Sequence, residues 1–107
     1  MNKYTELSDF EINKKVSEYL KLNTIAYERT EIVLFDDMDA TPFAPCNNPN
    51  DAMPIALDNG ISLTSPMLSY GEWKASYFRK YYARNINPYR AAMEVYLLMK
   101  DAENEKV

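Results

Sequence analysis

Pro54-Ile55-Ala56-Leu57-Asp58-Asn59-Gly60-Ile61-Ser62-Leu63-Thr64 is the stretch on which the fold class turns. Asn59-Gly60 supplies the two positions tolerant of positive φ that a type I′ turn demands. Apolar residues alternate on either side, Ile55 and Leu57 before the turn, Ile61 and Leu63 after it. The pattern predicts a β-hairpin over 54–64 and therefore an antiparallel sheet. Immediately upstream, residues 40–54 (ATPFAPCNNPNDAMP) hold four of the chain's six prolines. Proline removes an amide donor and disfavours helix at the residue before it, so the segment reads as a loop. A loop of that length inside a small domain is either functional or loosely ordered.

Further toward the N-terminus, Ile32-Val33-Leu34-Phe35 is a short β-favouring run closed by Asp36-Asp37-Met38-Asp39. Ser8-Asp9-Phe10-Glu11 fits a capping box, and Leu7 with Ile12 fits a hydrophobic staple. Ile12, Val16, Tyr19 and Leu20 then share one face at helical spacing, which predicts a helix over about 9–21. Downstream of the hairpin, residues 72–82 (EWKASYFRKYY) support two readings. Trp73, Ala75 and Tyr77 alternate as in a strand, while Trp73, Tyr77 and Lys80 or Tyr81 share a helix face. Asn87 as N-cap and Pro88 at the first helical position open a last helix that runs to about residue 103. The expected order is α-β-β-β-α. This is a single α+β domain over 1–107, with two helices packed on a short antiparallel sheet.

The chain has 107 residues, 12 basic against 16 acidic, a net charge of -4 and no histidine. Without histidine, His-based acid–base chemistry, Ser–His or Cys–His nucleophiles and most zinc-site designs drop out. Apolar runs are only a few residues long, too short to span a membrane. The N-terminus lacks the apolar core of a signal peptide. A lone cysteine, Cys46, forms no internal disulfide, and a reducing cytoplasm is the expected compartment. Neither cofactor nor metal is expected, nor is enzymatic activity. The 36–39 aspartates lack the glycine and closing glutamate of a calcium loop. Cys46 has no histidine to activate it. No nucleophile elbow or phosphate-binding loop occurs.

Charge distribution says more than its total. Residues 1–60 carry 5 basic and 11 acidic side chains, whereas residues 61–107 carry 7 basic and 5 acidic. Lys74, Arg79, Lys80, Arg84 and Arg90 interleave with Trp73, Tyr77, Phe78, Tyr81, Tyr82 and Tyr89. Such a stretch can hold a single strand, with phosphates on the cations and bases stacked on the rings. Trp73, Lys74, Arg79, Lys80 and Arg84 are its candidate contacts, against an acidic pI near 4.8. On the last helix, Val95, Ala92, Ala91, Leu98, Met99 and Ala102 form one apolar face while Met93 and Leu97 project to the other. A helix apolar on both sides is deeply buried or meets a partner. Met93 and Leu97, with Tyr89, are therefore the candidate partner interface.

Three phrases, YTELSDFEINKKV, CNNPNDAMPIALDNGISL and NPYRAAMEVYLLM, resemble the NinX-like family of small proteins from tailed bacteriophages and enterobacterial prophages. They occur in the family's order and span most of the chain, with the weakest likeness over about 23–44. Met53 stands where the family often has tryptophan in a D-A-W-P turn. The resemblance implies an accessory, non-structural protein of the host cytoplasm, from a family without an assigned biochemical activity, and supplies no catalytic residues. Asn48, Pro49, Asp51 and Pro54 are the matched loop positions, and local amide bonding is their plainest role.

The first functional reading is a non-enzymatic phage accessory protein acting through protein contact, with an unidentified partner or a second copy. The alternative is single-stranded nucleic-acid binding through segment 73–90. No membrane association is expected.

Overall fold

A computed structural model describes residues 2–66 and 71–105. In chain order the elements are α1 (Asp9–Tyr19), β1 (Thr24–Tyr27), β2 (Ile32–Phe35), α2 (Pro49–Asp58), β3 (Ser62–Thr64), β4 (Trp73–Tyr77), β5 (Tyr81–Asn85) and α3 (Pro88–Glu105). Among the described residues three helices and two antiparallel sheets make a small α+β domain, the class predicted from sequence.

The hairpin over 54–64 does not form, and the reason lies in the same dipeptide that suggested it. Asn48 opens α2 by accepting the Asn50 amide at 3.0 Å, and Pro49 takes the first helical position. The helix then runs through Pro54 to Asp58, so the predicted loop ends six residues early. Gly60, at φ +67, closes it as a Schellman cap. The Ile61 amide donates to the Ala56 carbonyl at 2.9 Å and that of Gly60 to Leu57 at 3.3 Å. Ile55 and Leu57 are thus helical, and Leu63 pairs across with Ala75 of β4 instead.

Segment 72–82 is strand, turn and strand. β4 pairs with β5 in the register Trp73 with Asn85, Ala75 with Ala83 and Tyr77 with Tyr81, giving the sheet order β3-β4-β5. The tight turn at 78–80 is reached through Phe78 at φ +52, a conformation that nothing in Phe-Arg-Lys advertises. β1, also unforeseen, pairs with β2. Residues 41–43 extend this small sheet, with Pro42 bridged to Leu34 and the Phe43 amide donating to the Val33 carbonyl at 2.9 Å.

α3 is the centre of the molecule. It lies across β3, β4 and β5 on one side and meets α1 and α2 on the other. Every residue from Arg90 to Leu97 is buried. Met93 and Leu97, each 0% exposed, are core residues and offer no surface to a partner. The helix is apolar on both sides because it is covered on both sides. Ala75 and Ala83, opposite one another and buried, present a shallow sheet surface to it.

Candidate functional site

The distinctive sequence phrases meet in a buried polar network. Arg90 of α3 donates from Nε to Glu94 Oε2 at 2.7 Å and from Nη1 to Asp9 Oδ1 at 2.7 Å. Its Nη2 donates to the carbonyls of Tyr4 and Leu7, both at 2.8 Å. Glu94 accepts a second bond from Asn2 at 2.9 Å. Burial opposes the Arg90 charge, but the bonds to Asp9 and Glu94 outweigh it and hold the guanidinium firmly protonated. Asn13 of α1 accepts the Cys46 amide at 2.9 Å, while Asn87 donates to the Cys46 carbonyl at 2.6 Å and caps α3 through the Tyr89 amide. Asp51 accepts the Ala44 amide at 3.0 Å, and Asn47 donates to Asp9 at 3.2 Å. Asn48 and Pro49 start α2, and Pro54 lies on its exposed side. These residues are occupied in joining the N-terminal segment, the 44–49 turn and α3. Tyr89 is half-buried against the core.

Two chemically suggestive features have equally local roles. Cys46 is 0% exposed, and burial foremost, with the nearby Asp9 charge, pushes its thiol well above the ordinary range. Asp36, Asp37 and Asp39 are exposed, and Asp37 accepts the amides of Asp39 at 3.0 Å and Ala40 at 2.8 Å in a turn. Among the described residues no group of three potential metal ligands is assembled.

The β4–β5 hairpin is different in kind, because its charges are uncommitted. α3 covers the sheet face that carries Trp73, Ala75, Tyr77, Tyr81 and Ala83. The opposite face presents one cross-strand row of Thr64, Lys74 and Arg84 and a second of Ser62, Ser76 and Tyr82. Tyr82 is 59% exposed, and the Lys74 ammonium sits 5.5 Å from its ring centre. Arg79 and Lys80 stand at the turn beside Phe78, which is 78% exposed. Among the described residues, the ion pairs engage Lys3, Lys14, Arg90 and Lys100, and none involves Lys74, Arg79, Lys80 or Arg84. A cleft of about 470 Å³ lies beside β5, lined by Lys80, Tyr82 and Arg84 with Asn2, Thr5 and Leu98 among others. Glu72 is the carboxylate in its lining.

Of the five candidate nucleic-acid contacts, Lys74 and Arg84 share one sheet face, Arg79 and Lys80 stand at the adjoining turn, and Trp73 lies on the other face. Trp73 is half-buried there, on the sheet face of Ala75 and opposite the face that carries Lys74 and Arg84. Tyr82 and Phe78 are the exposed rings beside the cations. The two-residue alternation of β5 identifies Tyr82 once the turn at 78–80 is known, but the turn itself leaves no glycine, proline or asparagine to mark it.

Fold and surface together describe a small α+β protein with an open basic sheet face and a polar network sewn through its core. The family model described as Bacteriophage P22, NinX matches residues 3–100, and the chain belongs to that family of phage accessory proteins. Searches of the curated proteins and of solved structures gave no significant match. Among the described residues no helix is long and apolar enough to cross a membrane.

Proposed function

We propose that this phage accessory protein binds single-stranded nucleic acid in the host cytoplasm, without catalysing a reaction, on the outer face of the β3-β4-β5 sheet. The observation that carries the reading is the set of Lys74, Arg84 and Tyr82 on one sheet face, extended by Arg79, Lys80 and Phe78 at the turn, with none of these cations in an ion pair among the described residues. Phosphates would lie along the cations and bases would stack on Tyr82 and Phe78, a mode every base supports because each has a π-face. The overall negative charge does not weigh heavily against this. The aspartates of 36–39, with Glu28 and Glu31, lie on and around the other sheet, and exposed charges further apart than about 8 Å are largely screened at physiological salt.

Fluorescence anisotropy of labelled single-stranded DNA and RNA tests the proposal through two variants. Lys74→Ala with Arg84→Ala removes two phosphate contacts and lowers the salt dependence along with the affinity. Tyr82→Ala removes one stacked base, a loss of about five-fold or more at ~1 kcal/mol per base, and leaves the salt dependence in place. Equal binding by wild type and both variants would overturn the assignment.

A further inference from the structure

The cleft beside β5 holds groups that strand binding on the outer sheet face does not use. Among the described residues β5 is an end strand, and its four consecutive residues Tyr81 to Arg84 line the cleft of about 470 Å³. Tyr82 and Arg84 belong to the outer face, so the cleft opens directly onto the row of cations. Leu98 of α3 supplies an apolar wall, and the Lys80 ammonium stands 5.6 Å from the Tyr81 ring centre. The N-terminal segment brings Asn2 and Thr5. Asn2 is held in place, donating to Glu94 at 2.9 Å and accepting the Tyr4 amide at 2.7 Å, and its amide carries a second N–H. Glu72 shares the cleft with Lys80 and Arg84, yet it enters none of the ion pairs among the described residues.

We propose that this cleft takes one base out of the bound strand and selects bases that carry an exocyclic amine (cytosine, adenine or guanine) over thymine and uracil. The inference rests on the reading of the outer face as the seat of the strand and adds base selection to it. The volume lies at the small end of ligand sites, which run from roughly 300 to 1,000 Å³, and suits a nucleotide rather than a folded partner. A site for phosphate alone has no use for a carboxylate, and a site for an uncharged ring has no use for two cations. Here Arg84 and Lys80 meet the backbone where it leaves the sheet face, while Leu98 and the Tyr81 ring meet the face of the base. Glu72 accepts from the exocyclic amine, as Glu and Asp do from N4 of cytosine. Thr5 and the second Asn2 N–H donate to the ring nitrogen or carbonyl beside that amine. Thymine and uracil turn a carbonyl oxygen toward the same carboxylate, which repels it. A strand held by phosphate contacts and stacking alone has no such preference.

Competition of unlabelled oligo(dC) and oligo(dT) of equal length against a labelled oligo(dT), read by fluorescence anisotropy, tests the inference. A mildly alkaline buffer keeps cytosine unprotonated and the oligo(dC) single-stranded. Oligo(dC) should compete roughly ten-fold better, as one specific base contact allows. Glu72→Ala should bring that ratio close to one while oligo(dT) binding persists. Loss of a negative charge alone would strengthen both strands alike and leave the ratio standing. Thr5→Trp, at an exposed position, fills the cleft and should also level the two. Both variants should keep the wild-type circular dichroism spectrum. Equal competition in the wild type, or a ratio that Glu72→Ala leaves intact, would overturn the role of the cleft while strand binding on the outer face stands. Failure of every oligonucleotide to bind would overturn that reading and this one with it.

Discussion

At the scale of single residues, two backbone positions with positive φ have opposite meanings. Gly60 closes α2, and a Cβ placed there would lie an ordinary 3.8 Å from Tyr77, so only the conformation resists a side chain. Gly60→Ala should therefore destabilise the domain by about 1–2 kcal/mol, read as a lower urea midpoint at unchanged slope. Phe78 holds the same left-handed region with a bulky ring that is 78% exposed and touches Tyr77 edge-on. A strained, exposed aromatic at a hairpin tip is costly unless the ring is used. Phe78→Asn should raise stability, since asparagine tolerates this region, while weakening single-strand binding. A variant that lost stability and kept its affinity would contradict the role given to this ring.

At the scale of elements, the network around Arg90 sets how α3 is held. Removing the guanidinium strands Glu94, 2% exposed, and leaves the carbonyls of Tyr4 and Leu7 without their donor. Arg90→Met should cost about 3–5 kcal/mol, as breaking a buried pair does, and Arg90→Lys should rescue little because one ammonium cannot span these partners. Differential scanning calorimetry would register a fall in Tm of roughly 12 °C or more for a domain of this length. The same elements explain what was legible from sequence. α1 and α3 carry complete local signals, Ser8 accepting the Glu11 amide at 3.1 Å and Asn87 that of Tyr89, and both helices form where expected. Asn59-Gly60 is ambiguous in principle, because a type I′ turn and a Schellman cap both want positive φ. Pro54 in the interior of α2 argued against helix there, and its exposed position keeps its ring clear of the core. The sequence of α3 showed two apolar faces, yet whether chain or partner covers the second face is a tertiary fact. The cations of the candidate site could be read directly; which aromatics stand beside them depended on a turn with no local signature.

For the whole molecule, Asp101 near the end of α3 fastens the chain's two ends. It accepts hydrogen bonds from Tyr4 and Tyr19 and pairs with Lys3 at 2.9 Å. Burial pushes its carboxyl up, but the bonds from Tyr19, Tyr4 and Lys3 together outweigh that and hold it below the usual range. A depressed folded value stabilises above the unfolded pKa of about 3.9, and the contribution is lost as pH falls through the folded value. Asp101→Asn should consequently be less stable than wild type at neutral pH, with the gap in urea midpoint closing as the pH falls into the acid range. A gap that stays constant with pH would assign Asp101 a packing role alone.

On the reading proposed above the basic, aromatic face holds a single strand, and its phosphate contacts release counterions on binding. The most direct measurement is therefore the affinity of the wild-type protein for single-stranded DNA and RNA as salt is raised. With Lys74, Arg79, Lys80 and Arg84 all engaged, log affinity should fall against log salt with a slope of about −3, at roughly 0.7 per phosphate contact. No binding at low salt, or binding indifferent to salt, would contradict the account.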